Sequence, residues 1–324
     1  MELKRALLAI ALLLFPVAAG AQQTQSTVNQ NVPPVGFFVE QSGPQFRDNF
    51  QRVINDLNVL FGRAGTSTAR TRLTVNTTFF ASAATGSDIP SCGISAKCAS
   101  LNYLYNTILV PNYDINGKTV SLSIDSNDPT CVSLNNTWIG GGVVQLLGPG
   151  GSPPTIGLTC PGTAISVNAP LSGVLGIANM QLSGGVLGIV CNAPNLVDYA
   201  NINFGAESFA HIQVTGPGCK VACTSNYTVS AGSGFHQLAQ VPGANASCQG
   251  LTITFTGAPA FTNAFAGATV AGAVTDYNMT YIGSVTGARC IASVGGLVDT
   301  ATGNPNGTLP GSSNCLVTSG GLIN

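Results

Sequence analysis

One register recurs through the second half of this chain. Short strand-like runs centred on Leu182, Phe204, Val229, Phe255 and Tyr281 follow one another at steps of 22, 25, 26 and 26. An asparagine precedes most of them, at Asn179, Asn201, Asn226 and Asn278, with Thr252 in the remaining place. Phe209, Phe235 and Phe261 keep a step of 26, Asn168-Ala169-Pro170 returns one step later as Asn192-Ala193-Pro194, and Asp198-Tyr199 returns three steps later as Asp276-Tyr277. A drifting period of this length, with short strands and no helix per unit, predicts an all-β fold, a right-handed parallel β-helix. Each coil leaves its inner face bare until the next coil stacks on it. An antiparallel sandwich also has many short strands, but nothing in it holds one residue type in one register from unit to unit. Like side chains should then pile up at about 4.8 Å, with the three phenylalanines forming a core column and asparagines bonding from coil to coil.

The cysteines fit the same period. Cys223 and Cys248 are 25 apart, as are Cys290 and Cys315; Cys191 and Cys219 are 28 apart, and Cys131 and Cys160 are 29 apart. Each pair spans one coil plus a small loop, and the stacking distance lies within what a disulfide tolerates. Cys92 and Cys98 would close a short surface loop, giving five sequential pairs. Cys219-x-x-x-Cys223 lacks the second pair of ligands that a metal site needs, so disulfides are expected, with no metal and no cofactor.

Disulfides imply an oxidising compartment, and the start of the chain agrees. Lys4 and Arg5 precede an apolar run that ends at the small-residue site Ala19-Gly20-Ala21, the pattern of a cleaved export signal over residues 1–21. No later stretch approaches the length of a membrane span. The expectation is a secreted or periplasmic protein with no membrane span in the mature chain. Residues 22–43 are a Gln/Asn-rich linker with Pro33-Pro34. In residues 44–62, Phe46, Phe50, Val53, Leu57 and Leu60 recur at steps of 4, 3, 4 and 3, one face of a helix. That helix could cap the solenoid, or it could form a short coiled coil joining a homo-trimer. Residues 73–324 form the β-helix, interrupted by a turn or two of helix around residues 101–109.

Only 7% of residues are charged and the formal net charge is −1, which removes the electrostatic case for nucleic acid or an anionic membrane surface. The same scarcity limits catalysis. Asp198 and Asp276 share a register three coils apart, about 14 Å, too far for a catalytic carboxyl pair. Asp198 and Glu207 belong to one coil and could approach across a groove. The only histidines are His211 and His236, at a spacing of 25. A local period of 25 stacks them, whereas the Phe209/Phe235 column places His236 opposite Ala210 and turns the two rings to opposite faces. The three-membered phenylalanine column is the stronger guide, and it leaves each histidine a structural role. Asp125 and Asp128 fall in a turn where they would cap backbone groups. No phosphate-binding loop, G-x-S-x-G elbow or H-E-x-x-H is present.

The stretches TTFFASAATGSD (77–88), NYDINGKTVSLSI (112–124), FAHIQV and GFHQL (within 209–238), TGAR (286–289) and LPGSSNCLVTSGG (309–321) together resemble phage tail-fibre-like and tail-spike-like proteins with the pectin-lyase-type β-helix. The resemblance implies a rigid solenoid for surface attachment or polysaccharide and cell-surface glycan contact, with lyase or hydrolase activity in some relatives only. Phage fibres normally carry neither an export signal nor many cysteines, so this chain looks like a host-encoded relative working outside the cytoplasm. The expected function is an exported structural or carbohydrate-contacting module. The alternative is a polysaccharide lyase or glycoside hydrolase that uses Asp198, Glu207, His211 or His236.

Overall fold

The computed structural model describes residues 70–324; the signal, the linker and the helix expected over 44–62 lie outside the described residues. The chain winds as a parallel β-helix of three sheets, and every strand pairing among them is parallel. Sheet 1 has ten strands, from Thr77–Ala81 through Leu196–Ala200 and Ala273–Tyr277 to Leu322–Ile323. Sheet 2 has six, from Gly157–Leu158 to Thr280–Ile282, and sheet 3 has eight, from Val132–Leu134 to Leu316–Thr318. Each full coil visits them in that order; Leu196–Ala200, Asn203–Phe204 and Ala210–Val214 make one coil.

The strands are short because turns recur, and their inner residues alternate with outer ones. In Thr119–Ile124, Val120, Leu122 and Ile124 are buried and the residues between them are not. Stacking continues this alternation into columns, such as Val120–Val144–Leu175–Val197–Val221 down the inner face of sheet 1. The expected sheet 2 column exists for four members: Leu182, Phe204, Val229 and Phe255 are successive partners. Tyr281 departs from it and pairs with Ile253.

The asparagine pattern marks the corner between sheets 1 and 2. Asn179, Asn201 and Asn278 take positive φ values of 61°, 46° and 53°, a conformation asparagine tolerates better than most residues. Asn201 Nδ2 donates to Asn179 Oδ1 at 2.9 Å. In the coils between, Ser225 and Gly250 hold the corner position, each just ahead of its sheet 2 strand, and Asn226 and Thr252 do not. The repeated Asn-Ala-Pro builds a second ladder at the exit of sheet 3. Asn192 Nδ2 donates to Asn168 Oδ1 at 2.7 Å, and Asn168 Nδ2 donates to Asn135 Oδ1 at 2.8 Å.

All five disulfides form as the spacing predicts: Cys92–Cys98, Cys131–Cys160, Cys191–Cys219, Cys223–Cys248 and Cys290–Cys315, with Cα separations from 4.3 to 6.3 Å. Five disulfides fit an extracellular or periplasmic protein. No helix among the described residues is long and apolar enough to cross a membrane.

The expected short helix runs over residues 101–112, with a widened turn at Leu104–Leu109. Ser100 caps its start, Oγ accepting from Tyr103 N at 3.2 Å, and Asp128 Oδ2 accepts from Leu101 N at 2.8 Å while its Oδ1 accepts from Thr130 N at 2.8 Å, the turn-capping role expected of that residue. The helix then shields the first strand of sheet 3. Ser133 N donates to Asn102 Oδ1 at 3.1 Å and Asn106 Nδ2 donates to Ser133 O at 2.9 Å, occupying backbone groups that an open edge would expose.

Candidate functional site

The phenylalanine column is not formed, and this decides where the histidines lie. Phe235 pairs with Ala210, and Phe261 pairs with Ser233. Phe209 sits on the surface with its ring centroid 6.2 Å from that of Phe235, while Phe261 faces the interior. The local period is therefore 25, and His236 stacks on His211. The rings do not alternate outward, because in each coil of sheet 3 the ladder skips this row: Leu187 and Ile189 pair with Ala210 and Ile212, which in turn pair with Phe235 and Gln237. At this row adjacent residues, His236 and Gln237 among them, are both buried.

The two histidines are fully buried, and their hydrogen bonds fix a direction. The Gly205 carbonyl can only accept, so His211 Nε2 carries a proton and donates to it at 3.0 Å. In a neutral ring His211 Nδ1 is then an acceptor, and His236 Nδ1–H donates to it at 3.0 Å. That leaves His236 Nε2 to accept the Tyr227 hydroxyl proton at 2.7 Å. Burial holds both rings neutral: it lowers His211 to about 3, against a smaller opposing effect of the Gly205 carbonyl, and it lowers His236 well below the usual histidine value, with His211 adding to the effect. Aromatic rings close the surroundings, with Phe204 stacked on His211 at 5.3 Å and Phe265 on His236 at 4.9 Å.

A second polar group occupies the same interior. Gln237 stands in the column after Ile165, Ile189 and Ile212; its Nε2 donates to Asp276 Oδ1 at 3.4 Å and its Oε1 has no partner among the described residues. Tyr281 OH donates to Asp276 Oδ2 at 3.3 Å. Burial pushes Asp276 up to about 7, against the smaller effects of Gln237 and Tyr281. Asp276 is thus not the register mate of Asp198. The partner of Asp198 three strands on is Thr275, and an offset of one residue turns Asp276 inward. Sequence reading placed this carboxylate in the wrong row and missed Gln237 and the tyrosines, because aromatic residues in strands read as ordinary core.

The remaining candidates stand apart. Glu207 lies at the corner before sheet 3, 4% exposed, with Oε2 accepting from Gly185 N at 3.1 Å and Oε1 unpartnered among the described residues. Burial raises it to about 7, partly offset by that backbone donor. Asp198 is on the outer face of sheet 1, where burial raises it and the charge of Lys220 lowers it. No hydrogen bond among the described residues joins Asp198 to Glu207. The outer column of sheet 1 that carries Asp198 runs from Ser121 through Gln145, Gly176, Asp198 and Ser247 to Asp299. Its two acids are four strands apart, about 19 Å, beyond the reach of a glycosidase pair. Asp299 also accepts from Tyr277 OH at 2.8 Å.

Asp88, Cys92 and Cys98 bring ligand-type atoms within 4.8 Å of one another, but they do not make a metal site. The cysteines are joined as a disulfide, and Asp88 accepts from Ala99 N, Ser100 N and Ser100 Oγ. Comparison with family models, with curated proteins and with solved structures finds no match to this chain.

Proposed function

We propose that this chain is an exported, non-catalytic β-helical module that meets polysaccharide or cell-surface glycan along the outer face of sheet 1. The observation that carries this reading is the division of its chemistry. Glu207, His211, His236 and Asp276 are at most 4% exposed, whereas the ten-stranded outer face offers mostly uncharged side chains in columns, polar ones such as Ser121, Gln145 and Ser247 beside aliphatic ones such as Val143, Val174 and Leu196. Acid/base work needs a titrating group within reach of substrate, and here such groups are walled in or isolated. A regular array of hydroxyls and amides interspersed with aliphatic side chains suits an extended neutral polymer, whose hydroxyls and C–H faces need both, and its parallel sheet loses little order on contact.

The test is retention of the protein on a panel of polysaccharides, combined with assays for new reducing ends and unsaturated products. The expected result is saturable retention by at least one polysaccharide without turnover. Retention by none would leave only a scaffold role. Turnover abolished by Glu207→Gln or His211→Ala would overturn the non-catalytic reading.

A further inference from the structure

Residues 90–95 and 107–113 face each other across a cleft of about 540 Å³ that includes none of the buried histidines, Asp276 or Glu207. Both walls are fixed. One is the loop closed by Cys92–Cys98, whose Gly93 donates its N–H to Ala96 O at 2.6 Å and accepts from Phe80 N at 2.7 Å. Gly93 has φ +118°, and a Cβ there would lie 3.1 Å from Phe79 and 3.3 Å from Leu104, so the loop packs down only because this residue is glycine. The other wall is the end of the 101–112 helix. Pro111 has no N–H for the Thr107 carbonyl, and Asn112 Nδ2 bonds both Thr107 O and Ile108 O at 2.9 Å. Tyr113 follows, edge-on to Phe79 with centroids 5.0 Å apart.

The lining mixes polar and apolar side chains and, among the described residues, carries no charge. The hydroxyls of Ser91, Ser95, Thr107 and Tyr113 and the side-chain oxygen of Asn112 surround the cleft, and none of them makes a hydrogen bond among the described residues. On sheet 3 a comparable pair is joined from coil to coil, Ser166 to Ser133 at 3.1 Å. Ile94, 57% exposed, supplies an apolar edge. Among the described residues no charged side chain lines the opening: Lys97 of the same loop is paired with Asp125, and Asp88 is held by Ala99 and Ser100. A pre-formed pocket of this size with convergent polar groups is the usual form of a small-ligand site. An ion would find no countercharge here, and a wholly apolar ligand would strand several hydroxyls.

We propose that this cleft binds one or two rings of a neutral saccharide. Ring C–H faces would lie on Tyr113 and Ile94, and ring hydroxyls would bond Ser95, Thr107 and Asn112. Only the choice of a sugar rests on the glycan reading above; the pocket stands on its own geometry.

The test is a titration of the full chain, labelled at isoleucine methyl groups, with maltose, cellobiose and lactose, and with glucuronate as the charged control. The Ile94 and Ile108 methyls should shift saturably with at least one neutral disaccharide, Ile139 and Ile282 should stay still, and glucuronate should do nothing. Ser95→Ala and Thr107→Val change exposed positions and should each weaken binding at least tenfold with an unchanged melting temperature. Undiminished affinity in both variants would overturn the assignment. So would motionless Ile94 and Ile108 methyls in a protein that polysaccharide still retains, and that result would spare the glycan reading. Shifts in a protein retained by no polysaccharide would uphold the cleft and overturn the sheet 1 reading instead.

Discussion

Replacing Asp276 with asparagine should stabilise this protein at high pH and leave it almost unchanged at low pH. The carboxyl is 1% exposed, and burial moves it from 3.8 to about 7. Each pH unit of such a shift is worth about 1.4 kcal/mol, so above neutrality the folded protein carries a penalty of about 4 kcal/mol relative to the unfolded chain. Because the folded value is raised, the favourable state is complete below 3.8 and is lost as pH rises through 7. Asparagine has the same shape, can still accept from Gln237 Nε2, and never ionises. Asp276→Asn should therefore match the parent within about 1 kcal/mol at pH 4, where both side chains are neutral, and exceed it by about 3 kcal/mol at pH 8. Urea unfolding at the two pH values, with disulfides intact, reads this through Trp138, the single tryptophan, which is fully buried. Equal destabilisation at both pH values would show that the carboxylate is ionised and well solvated in the native state, and would refute the buried network.

The histidines predict the opposite slope. Their folded values lie below 6.5, so their contribution is intact above that pH and drains away as pH falls, because the unfolded chain takes up protons first. Protonation of Asp276 and Glu207 offsets this loss between about pH 7 and 4, so the parent should hold steady there and then weaken steeply toward pH 3. In Asp276→Asn/Glu207→Gln the urea midpoint should fall from pH 6.5 downward, and a flat profile in that variant would contradict the neutral histidine pair. Close stacking makes a third prediction: a Cβ on Gly157 would lie 1.8 Å from Gln181 O, so Gly157→Ala should cost about 3 kcal/mol or more. Gly250→Ala meets nothing within 4 Å and should cost only about 1–2 kcal/mol for its positive φ. Equal shifts in melting temperature for the two variants would speak against the register.

The winding was legible because stacking repeats chemistry. Leu182, Phe204, Val229 and Phe255 show it as a column, Asn168 and Asn192 as a ladder, and the cysteine spacings as staples. What stayed hidden turned on single residues. Ser233 pairs with Phe261 but Phe235 pairs with Ala264, so the partner strand gains a residue within two positions; the constant step of 26 between phenylalanines concealed that shift. Asp198 and Asp276 look equivalent at three steps of 26, yet the register partner is Thr275, and one residue is enough to exchange inside for outside. The paired histidines were visible as a spacing of 25, but choosing between two spacings needed the register of sheet 3, where Phe235 pairs with Ala210 and not with Phe209. The cleft between residues 90 and 113 joins a disulfide loop to a helix end that no periodicity connects.

The winding itself is tested most directly by mapping the disulfides of the unreduced protein by mass spectrometry of its peptides. Linkage of Cys92 to Cys98, Cys131 to Cys160, Cys191 to Cys219, Cys223 to Cys248 and Cys290 to Cys315, with no other pairs, is the result that coils stacked in sequence require. Any bond that skips a coil, such as Cys191 to Cys248, would contradict it.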